Sequence, residues 1–358
     1  MGVTSRVAIL GTGNVGVCHA AMLGLQGVDV SVGELPSFQE SIEPIRQAGG
    51  IHLRGEYGEH FVELPVVTTD IEEAIAGCQI IFFCCPAFGQ EEFARQCSPF
   101  LVDGQVLVFI SHFGAIRMSN VLTELNVCAD ITVGETMSCV YLSNRTGPTE
   151  ALVRGKKEGL PYAAFPSTAT HPSLQVLQRA FPDWIAARNC LETTINNASQ
   201  WEHPGGTLLN AGWIEATAGG FSFGAEGRTP AVRRIQEAMD GEKMLIAEAV
   251  GIEVVSSRDL LKRLYVRGTN QEKYKELKNA PPSLKHRYIT EDLCYGVIPI
   301  AMIGHKLGVE TPIIDAVVDV AAAASGEDLR ARALDVADLG LEDISADEIR
   351  RIVESGGL

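Results

Sequence analysis

The sequence predicts an α/β protein, in which a doubly wound parallel sheet is followed by an all-helical C-terminal domain. Short apolar runs alternate with helical patterns through the first half of the 358-residue chain, as in parallel sheets. After about residue 185, long helical patterns dominate and runs of β-branched residues become rare. We therefore predict two domains, residues 1–188 and 189–358.

The first half begins with an apolar run at residues 6–10, Arg-Val-Ala-Ile-Leu, which stops at Gly11. Such a run is typical of a buried parallel strand. A helical period over 14–26 follows and ends at Gly27. The other elements predicted here are strands at 28–32, 79–85, 105–110, 131–141 and 161–165 and a helix at 38–48.

The second half carries clear helix signals. Thr229-Pro230 is typical of an N-cap followed by proline at the first helical position, and Gly251 ends that helix. A second long helix is predicted from Thr290 to Leu307. The last predicted helices start at Thr311-Pro312 and at the capping box Ser345-Ala-Asp-Glu348.

A glycine-rich motif, GxGxxG, stands between the first strand and the first helix at Gly11-Thr12-Gly13-Asn14-Val15-Gly16. The first glycine permits a tight turn, the second lets a pyrophosphate approach the backbone, and the third lets the helix pack on the strand. This context predicts a Rossmann-type dinucleotide-binding domain. The expected cofactor contacts in this motif are Gly11, Gly13, Asn14, Val15 and Gly16.

Glu34 lies at the end of the second predicted strand, eighteen residues beyond Gly16. A carboxylate here accepts hydrogen bonds from the adenosine ribose and repels a 2′-phosphate. No arginine follows within ten residues, so NAD is favoured over NADP as the cofactor. The alternative is that Glu34 is a surface acid. Pro86, where the 79–85 strand ends, is also assigned to the cofactor site.

The charge balance narrows the choice of partners. With 29 basic and 45 acidic side chains, the formal charge is −16, which argues against nucleic acid and anionic membrane. Nine cysteines without a CxxC spacing indicate a reduced, cytoplasmic protein, and no apolar stretch is long enough to span a bilayer. The histidines lack metal-ligand spacing, so we expect no metal.

Three polar residues of the second half are candidates for chemistry. His203 is a candidate general acid/base because imidazole titrates near neutrality, although a satisfied core histidine is the alternative. Asp292 suits a helix N-terminus, or else it orients His203. Arg287 offers a two-pronged fork for a substrate carboxylate. Spacing alone does not bring these segments together.

Several motifs occur in combination with the glycine loop. They are Gly134-Glu135-Thr136-x-Ser138, Asn197-x5-His203-Pro204-x2-Thr207-Leu208-Leu209-Asn210, and Arg287-Tyr288-x2-Glu291-Asp292-x3-Gly296-x-Ile298-Pro299. This combination resembles the opine dehydrogenase family, which includes octopine, nopaline and N-(1-carboxyethyl)norvaline dehydrogenases. The resemblance covers nearly the whole chain.

The resemblance implies an NAD(P)-dependent oxidoreductase that joins an α-keto acid such as pyruvate to the amino group of an L-amino acid, giving a secondary-amine dicarboxylate. His203 matches the catalytic histidine, and Asp292 the aspartate paired with it. Arg287 matches the arginine that binds substrate carboxylate. Thr136 and Asn197 match positions near the substrate. We also expect a homodimer.

Two positions depart from the family pattern. Where relatives often carry a histidine after Pro86-Ala87, this chain has Phe88-Gly89-Gln90, and we assign Gln90 to substrate binding. Where relatives show an Asn-Pro-Gly turn, it has Ser111-His112-Phe113-Gly114. His112 is therefore a second candidate for substrate binding, with a structural role or a competing acid/base role as alternatives.

Two other functions are kept open by the sequence. One is a reductase of a keto or hydroxy acid without an amine partner, similar to ketopantoate reductase. The other is a nucleotide-sensing or scaffold protein without activity. The joint presence of His203, Arg287 and Asp292 argues against the latter.

Overall fold

A computed structural model describes residues 6–266, 273–342 and 345–355. The chain divides into two compact units. The first contains the described residues up to Cys190 together with 264–266. The second contains Leu191–Arg263 together with the described residues from 273 onward.

Two sheets form the framework of the first unit. In the larger sheet the strand order is β12-β11-β8-β7-β6-β1-β2-β5, and in the smaller one it is β4-β3-β10-β9. The strands are β1 (Arg6–Leu10), β2 (Val30–Gly33), β3 (Gly50–Gly55), β4 (His60–Glu63), β5 (Val66–Thr68), β6 (Cys78–Phe83), β7 (Val106–Ile110), β8 (Thr132–Thr136), β9 (Tyr141–Gly147), β10 (Glu150–Lys156), β11 (Pro161–Phe165) and β12 (Ile185–Ala186).

All pairs in the larger sheet are parallel except that of β11 with β8. The helices of this unit are α1 (Asn14–Leu25), α2 (Gln39–Ala48), α3 (Ile71–Ile75), α4 (Ala87–Cys97), α5 (Gly114–Glu124) and α6 (Thr170–Leu177). From β1 the chain builds the sheet outward through β2 on one side and β6 on the other. Ligands of such sheets bind at this reversal point, beyond the carboxyl ends of the strands.

The described part of the second unit contains helices and no strand. Its elements are α7 (Cys190–Ile195), α8 (Ala198–Leu208), α9 (Ala211–Thr217), α10 (Pro230–Val250), α11 (Ser257–Leu264), α12 (Arg287–Thr290), a π-helix (Asp292–Val297), α13 (Ile298–Lys306), α14 (Pro312–Ser325) and α15 (Ala346–Ser355). The first residue of α7 and the last residue of α11 belong to the first unit. No helix in the described ranges combines the length and apolar character needed to cross a membrane.

The apolar runs of the first half are buried as predicted. Residues Val7–Leu10 of β1 are fully shielded from solvent, because β2 and β6 flank the strand and α1 and α3 pack against it. Beside them, the rings of Phe181 and Trp184 stack 4.2 Å apart, and both contact Phe82 of β6. The predicted fold class is confirmed: an α/β Rossmann-type sheet precedes an all-helical region.

Several element predictions were wrong in detail. The smaller sheet was missed because its strands are half-exposed and carry charged residues, so they lack the apolar runs that revealed the larger sheet. The predicted helix Thr290–Leu307 is interrupted: α12 begins earlier, at Arg287, and a π-helix separates it from α13. Local periodicity does not distinguish a π-turn from an α-turn.

Candidate active site

The glycine motif forms the turn between β1 and α1. Gly11 has a φ of +101°, and a Cβ there would lie 2.9 Å from the Cys84 carbonyl oxygen. A Cβ on Gly16 would lie 1.8 Å from the Gly11 carbonyl oxygen, so the helix packs this closely only with glycine. A Cβ on Gly13 would meet no atom of the described residues within 4 Å.

These features fit a dinucleotide. Gly13 is exposed and is the N-cap of α1, where no side chain caps the helix and no acidic residue occupies the first turn. The first backbone N–H groups of a helix, with the positive end of its dipole, bind phosphate. Gly13, Asn14 and Val15 would therefore hold the pyrophosphate, while Gly11 and Gly16 shape the turn.

Glu34 follows β2 directly and is buried against the glycine motif. Its Oε2 accepts hydrogen bonds from the Thr12 backbone N–H and from Thr12 Oγ1, both at 2.7 Å, and its Oε1 accepts one from Leu35 N at 3.0 Å. A carboxylate has about four acceptor sites, so these three bonds leave capacity for a ribose hydroxyl. Glu34, which the sequence assigns to the cofactor ribose, therefore also holds the glycine motif in place through Thr12.

Arg145 of β9 is a component of this region that sequence reasoning missed. Its Nη1 donates to the Thr12 carbonyl oxygen at 2.6 Å and to Ser41 Oγ at 2.7 Å. Its backbone N–H donates to Asn14 Oδ1 at 2.9 Å. Burial lowers the pKa of Arg145, and the nearby Glu34 carboxylate acts in the opposite direction. Because 133 residues separate Arg145 from Thr12, no local pattern indicates this contact.

Substitution of Gly13 tests pyrophosphate binding at the start of α1 separately from the stability of the fold. Because a Cβ at this position would meet no neighbouring atom, we expect Gly13→Ala to change the free energy of unfolding by less than about 0.5 kcal/mol. The added methyl would occupy the phosphate approach, so NADH affinity should fall at least about tenfold, equivalent to about 1.4 kcal/mol. Isothermal titration calorimetry and thermal unfolding measure the two effects.

Gly16→Ala is the matched comparison. Its methyl would overlap the Gly11 carbonyl oxygen, so this variant should lose about 1–3 kcal/mol of stability through overpacking. Unchanged NADH affinity in Gly13→Ala would contradict the assignment of Gly13 to the cofactor.

The carboxyl ends of β6 and β7 carry the next predicted positions. Pro86 is the N-cap of α4. Gln90 in α4 is 1% exposed, and neither atom of its amide has a hydrogen-bond partner among the described residues. His112 is also buried, in a turn where Ser111, His112 and Phe113 all have a positive φ. Such strained backbone often accompanies functional sites.

Thr136 ends β8 and is fully buried. Its Oγ1 donates to the Ser138 carbonyl oxygen at 3.0 Å. Lys157, which sequence reasoning did not identify, donates from Nζ to Ser138 Oγ at 2.8 Å and to the Cys139 carbonyl oxygen at 2.9 Å. The segment after Thr136 is thus anchored by a buried lysine.

The second unit positions His203 on α8. Asn197 is the N-cap of this helix, and its Oδ1 accepts a hydrogen bond from Ser199 N at 3.2 Å. Gly205 and Gly206 follow His203 and lie against α10, where a Cβ on Gly206 would come within 3.2 Å of Gln236 Nε2. Small residues therefore let α10 pack closely beside the histidine.

His203 is paired with Asp292. The Nδ1 of His203 lies 2.8 Å from Oδ2 of Asp292, and the two residues are 89 positions apart. Asp292 is 1% exposed and begins the π-helix, an element that frequently occurs at functional sites. Because a carboxylate only accepts, Nδ1 carries the proton, and Nε2 is the atom available to a substrate.

Arg287, the first residue of α12, forms an ion pair with Glu291, which lies one turn later as the C-cap of that helix. The Nε of Arg287 donates to Glu291 Oε2 at 2.5 Å. Desolvation disfavours the charged form, but the Glu291 and Asp292 carboxylates outweigh it and raise the pKa of Arg287. Within the described ranges this bond occupies Nε alone, which leaves both terminal Nη groups for a carboxylate.

His286 caps α12, with its Nδ1 accepting a hydrogen bond from Tyr288 N at 3.3 Å. Burial, assisted by the positive charge of Arg287, lowers the pKa of His286 to about 4. This second histidine is therefore neutral near pH 7.

Asn210, the last residue of the histidine motif, does not lie on the helix that carries His203. α8 ends at Leu208, and Asn210 is the N-cap of α9, where its Nδ2 donates to the Gly206 and Gly227 carbonyl oxygens. Glu202 is paired with Arg228 at 2.5 Å. Both polar residues therefore have structural partners.

Comparison with protein-family models gives two matches that divide the chain. Residues 186–325 match a family described as NAD/NADP octopine/nopaline dehydrogenase, alpha-helical domain. Residues 7–155 match a family described as ketopantoate reductase PanE/ApbA. The first match includes His203, Arg287 and Asp292.

Two curated relatives each cover 97% of the chain. An opine dehydrogenase of Arthrobacter sp. (strain 1C) is 28% identical over 357 residues, covering 97% of this chain and 98% of the relative. Protein ocs of Agrobacterium tumefaciens (strain Ach5) is 26% identical over 360 residues, with coverage of 97% and 98%.

Solved structures share the fold. A structure of octopine dehydrogenase with NADH and L-arginine superposes with a TM-score of 0.72 at 19% identity and covers 99% of both chains. Yersinopine dehydrogenase with NADP⁺ gives a TM-score of 0.64 at 15% identity, covering 98% of each chain.

Proposed function

The chain belongs to the opine dehydrogenase family, and from this premise we propose that it catalyses the NAD(P)H-dependent reductive condensation of an α-keto acid with the amino group of an L-amino acid. The observation that carries the proposal is the pairing of His203 with Asp292 beside Arg287, inside the octopine/nopaline family match.

The overall reaction balances as follows. The amine nitrogen bonds to the keto carbon, and the keto oxygen leaves as water, giving an imine. When bound, the reduced nicotinamide supplies the hydride for the imine carbon, and a proton completes the secondary amine. The net reaction consumes one keto acid, one amino acid, one NAD(P)H and one proton, and it releases the secondary-amine dicarboxylate, one NAD(P)⁺ and one water.

His203 performs the proton transfers. Its Nε2 takes a proton from the attacking amine and gives one to the departing hydroxyl, so that the group acts in turn as base and acid. Asp292 holds Nδ1 in its protonated form at 2.8 Å and stabilises the imidazolium when it forms. The buried carboxylate thereby sets the tautomer and fixes the position of Nδ1.

Arg287 binds substrate carboxylate. Its Nε is held by Glu291, so the two terminal groups of the guanidinium are oriented before substrate arrives. In a chain of net charge −16, this local cation offsets the repulsion that an anionic substrate meets.

The preferred cofactor is NAD. NADP carries a 2′-phosphate on its adenosine ribose. The negative charge of the Glu34 carboxylate, just after β2, would repel that phosphate. Arg145 does not provide the compensating cation, because its five guanidinium N–H groups have acceptors in the Thr12, Ser41, Gly147 and Pro148 backbone oxygens and Ser41 Oγ.

We expect kcat/KM for NADH to exceed that for NADPH by at least about tenfold, or about 1.4 kcal/mol. Glu34→Gln removes the repelling charge and should narrow that ratio, mainly by lowering the KM for NADPH. Glu40→Gln, an exposed neutralisation on α2, is the control and should leave the ratio unchanged. Equal use of both cofactors by the wild type would contradict this preference.

A reductase acting without an amine, as in ketopantoate reductase, has weaker support. The ketopantoate reductase match covers residues 7–155, the dinucleotide-binding part, whereas the helical part carrying His203 matches octopine/nopaline dehydrogenase. The similarity to this second family therefore concerns cofactor binding.

The function is tested with a matrix of α-keto acids and L-amino acids, monitored by NADH and NADPH absorbance. We expect cofactor oxidation that requires both substrates and a product whose mass equals the condensed, reduced pair. Oxidation of NADH by a keto acid alone, at a rate that amines do not change, would favour the reductase instead.

Other assignments rest on the sequence argument. Thr136, Asn197, Gln90 and His112 are each proposed to take part in substrate binding. A domain boundary near residue 188, a homodimeric state and a cytoplasmic location are likewise proposals. The domain boundary is tested by expressing residues 1–188 separately and asking whether this part folds. The homodimeric state is tested by measuring the mass of the protein by sedimentation.

A further inference from the structure

The His203 imidazole makes two contacts: its Nδ1 is hydrogen-bonded to Asp292, and one face of its ring is covered by an aromatic side chain. The ring of Tyr288 stacks on the imidazole with 3.7 Å between centroids and an angle of 14° between planes. Phe223 approaches the same imidazole more distantly, at 6.2 Å and nearly edge-on. The contact with Tyr288 is therefore the close one.

Tyr288 is itself firmly supported. Its ring meets His286 edge-on at 4.7 Å and Phe223 at 5.4 Å. It packs against a cluster of buried apolar residues on neighbouring elements, consisting of Ile214, Phe221, Phe223 and Leu284. Its backbone N–H is bound by His286 Nδ1. A ring restrained in this way is a rigid platform for the imidazole.

A hydrogen bond to Asp292 restrains the imidazole incompletely. It fixes the position of Nδ1, but the second side-chain torsion of histidine has a broad, shallow minimum, so the ring plane can still tilt. Stacking on a rigid ring removes that tilt. The two contacts together define the direction of Nε2, the atom that exchanges protons with substrate.

We propose that Tyr288 is a positioning residue, which acts through His203 by holding the plane of the imidazole during the proton transfers. This inference rests on the proposed function for its kinetic consequences. The segment 286–292 then has a double role, because it supplies Asp292 to the edge of His203 and Tyr288 to its face.

The charged groups around this stack favour a passive role for Tyr288. Asp292 balances the imidazolium, Arg287 is paired with Glu291, and His286 is neutral near pH 7. The aromatic ring therefore has to supply only geometry, together with the modest attraction of a π face for a cation.

The test compares Tyr288→Phe with Tyr288→Leu in the full-length chain. Phenylalanine keeps the stack, so kcat should stay within about threefold of wild type, whereas leucine should lower kcat by about 10- to 100-fold, the scale of a misplaced catalytic group. KM values for both substrates and the Kd of NADH should change little. Equal losses in the two variants would show that the hydroxyl matters and overturn the proposal.

The same substitutions in a His203→Asn background provide the decisive control. If Tyr288 acts through His203, leucine has no further effect on kcat once the imidazole is gone. An undiminished effect there would overturn the proposal.

A readout without catalysis separates this inference from the proposed function. In protein labelled with ¹⁵N at the imidazoles, the His203 Nδ1–H resonance should remain sharp in wild type and Tyr288→Phe and broaden in Tyr288→Leu. Unchanged resonances in Tyr288→Leu would overturn the positioning role even if no substrate pair is turned over.

Discussion

Replacing His203 by asparagine is expected to lower kcat by about 10²- to 10⁴-fold, the usual contribution of a positioned acid/base. In the proposed mechanism the imidazole Nε2 exchanges protons with substrate, because Nδ1 is bound to Asp292 at 2.8 Å. Binding of NADH, assigned to the glycine motif, should stay within about twofold of wild type because the substitution leaves that motif intact. Steady-state kinetics and NADH fluorescence measure the two quantities.

His171→Asn is the matched control for that substitution. His171 lies exposed on α6, so its loss should leave both kcat and NADH affinity unchanged. Near-wild-type turnover in folded His203→Asn would remove this histidine from the mechanism and leave His112 as the next candidate.

Replacing Arg287 by methionine is expected to raise the KM of the keto acid by about 10- to 100-fold, since each hydrogen bond to a charged group contributes about 1.5–3 kcal/mol. Methionine keeps the aliphatic part of the side chain but removes the guanidinium and its two terminal donor groups. Arg287→Lys keeps the charge without the fork and should give an intermediate KM. Initial rates over a keto-acid series at fixed NADH and amino acid measure both.

Arg287 is paired with the buried Glu291, so the effect of losing this ion pair has to be separated from the effect on substrate binding. Glu291 is only 4% exposed, so removal of Arg287 leaves a poorly solvated carboxylate. Arg287→Met with Glu291→Gln removes that charge, and thermal unfolding reports whether the fold is retained. If KM for both substrates stays within about twofold of wild type in this double variant, Arg287 has no role in carboxylate binding.

Local sequence signals were sufficient to predict those elements whose conformation depends on residues close together in the chain. The turn from Gly11 to Gly16 was predicted because its three glycines have separate steric reasons within six positions. The helix from Pro230 to Val250 was predicted because Thr229 caps its start, with Oγ1 accepting from Val232 N, and Gly251 ends it.

Contacts between distant segments were not predictable in the same way. Arg145 reaches Thr12 from a strand of the smaller sheet, which has no apolar run to reveal it. Tyr288 was visible as part of a motif, but the motif did not indicate that its ring stacks on His203. Both contacts depend on how elements pack, and packing is a property of three-dimensional neighbours.

The sequence by itself determined the α/β class of the first half, the helical character of the second and the residue types available for chemistry, because burial patterns and turn requirements act over a few neighbouring residues. Only the tertiary structure decided which groups meet. It joined Nδ1 of His203 to Asp292 across 89 residues and engaged every guanidinium N–H of Arg145. Among the described residues it left the Nη groups of Arg287 without a hydrogen bond. Hydrogen bonds and ring stacks require separations of a few ångströms, and only folding brings such remote residues that close.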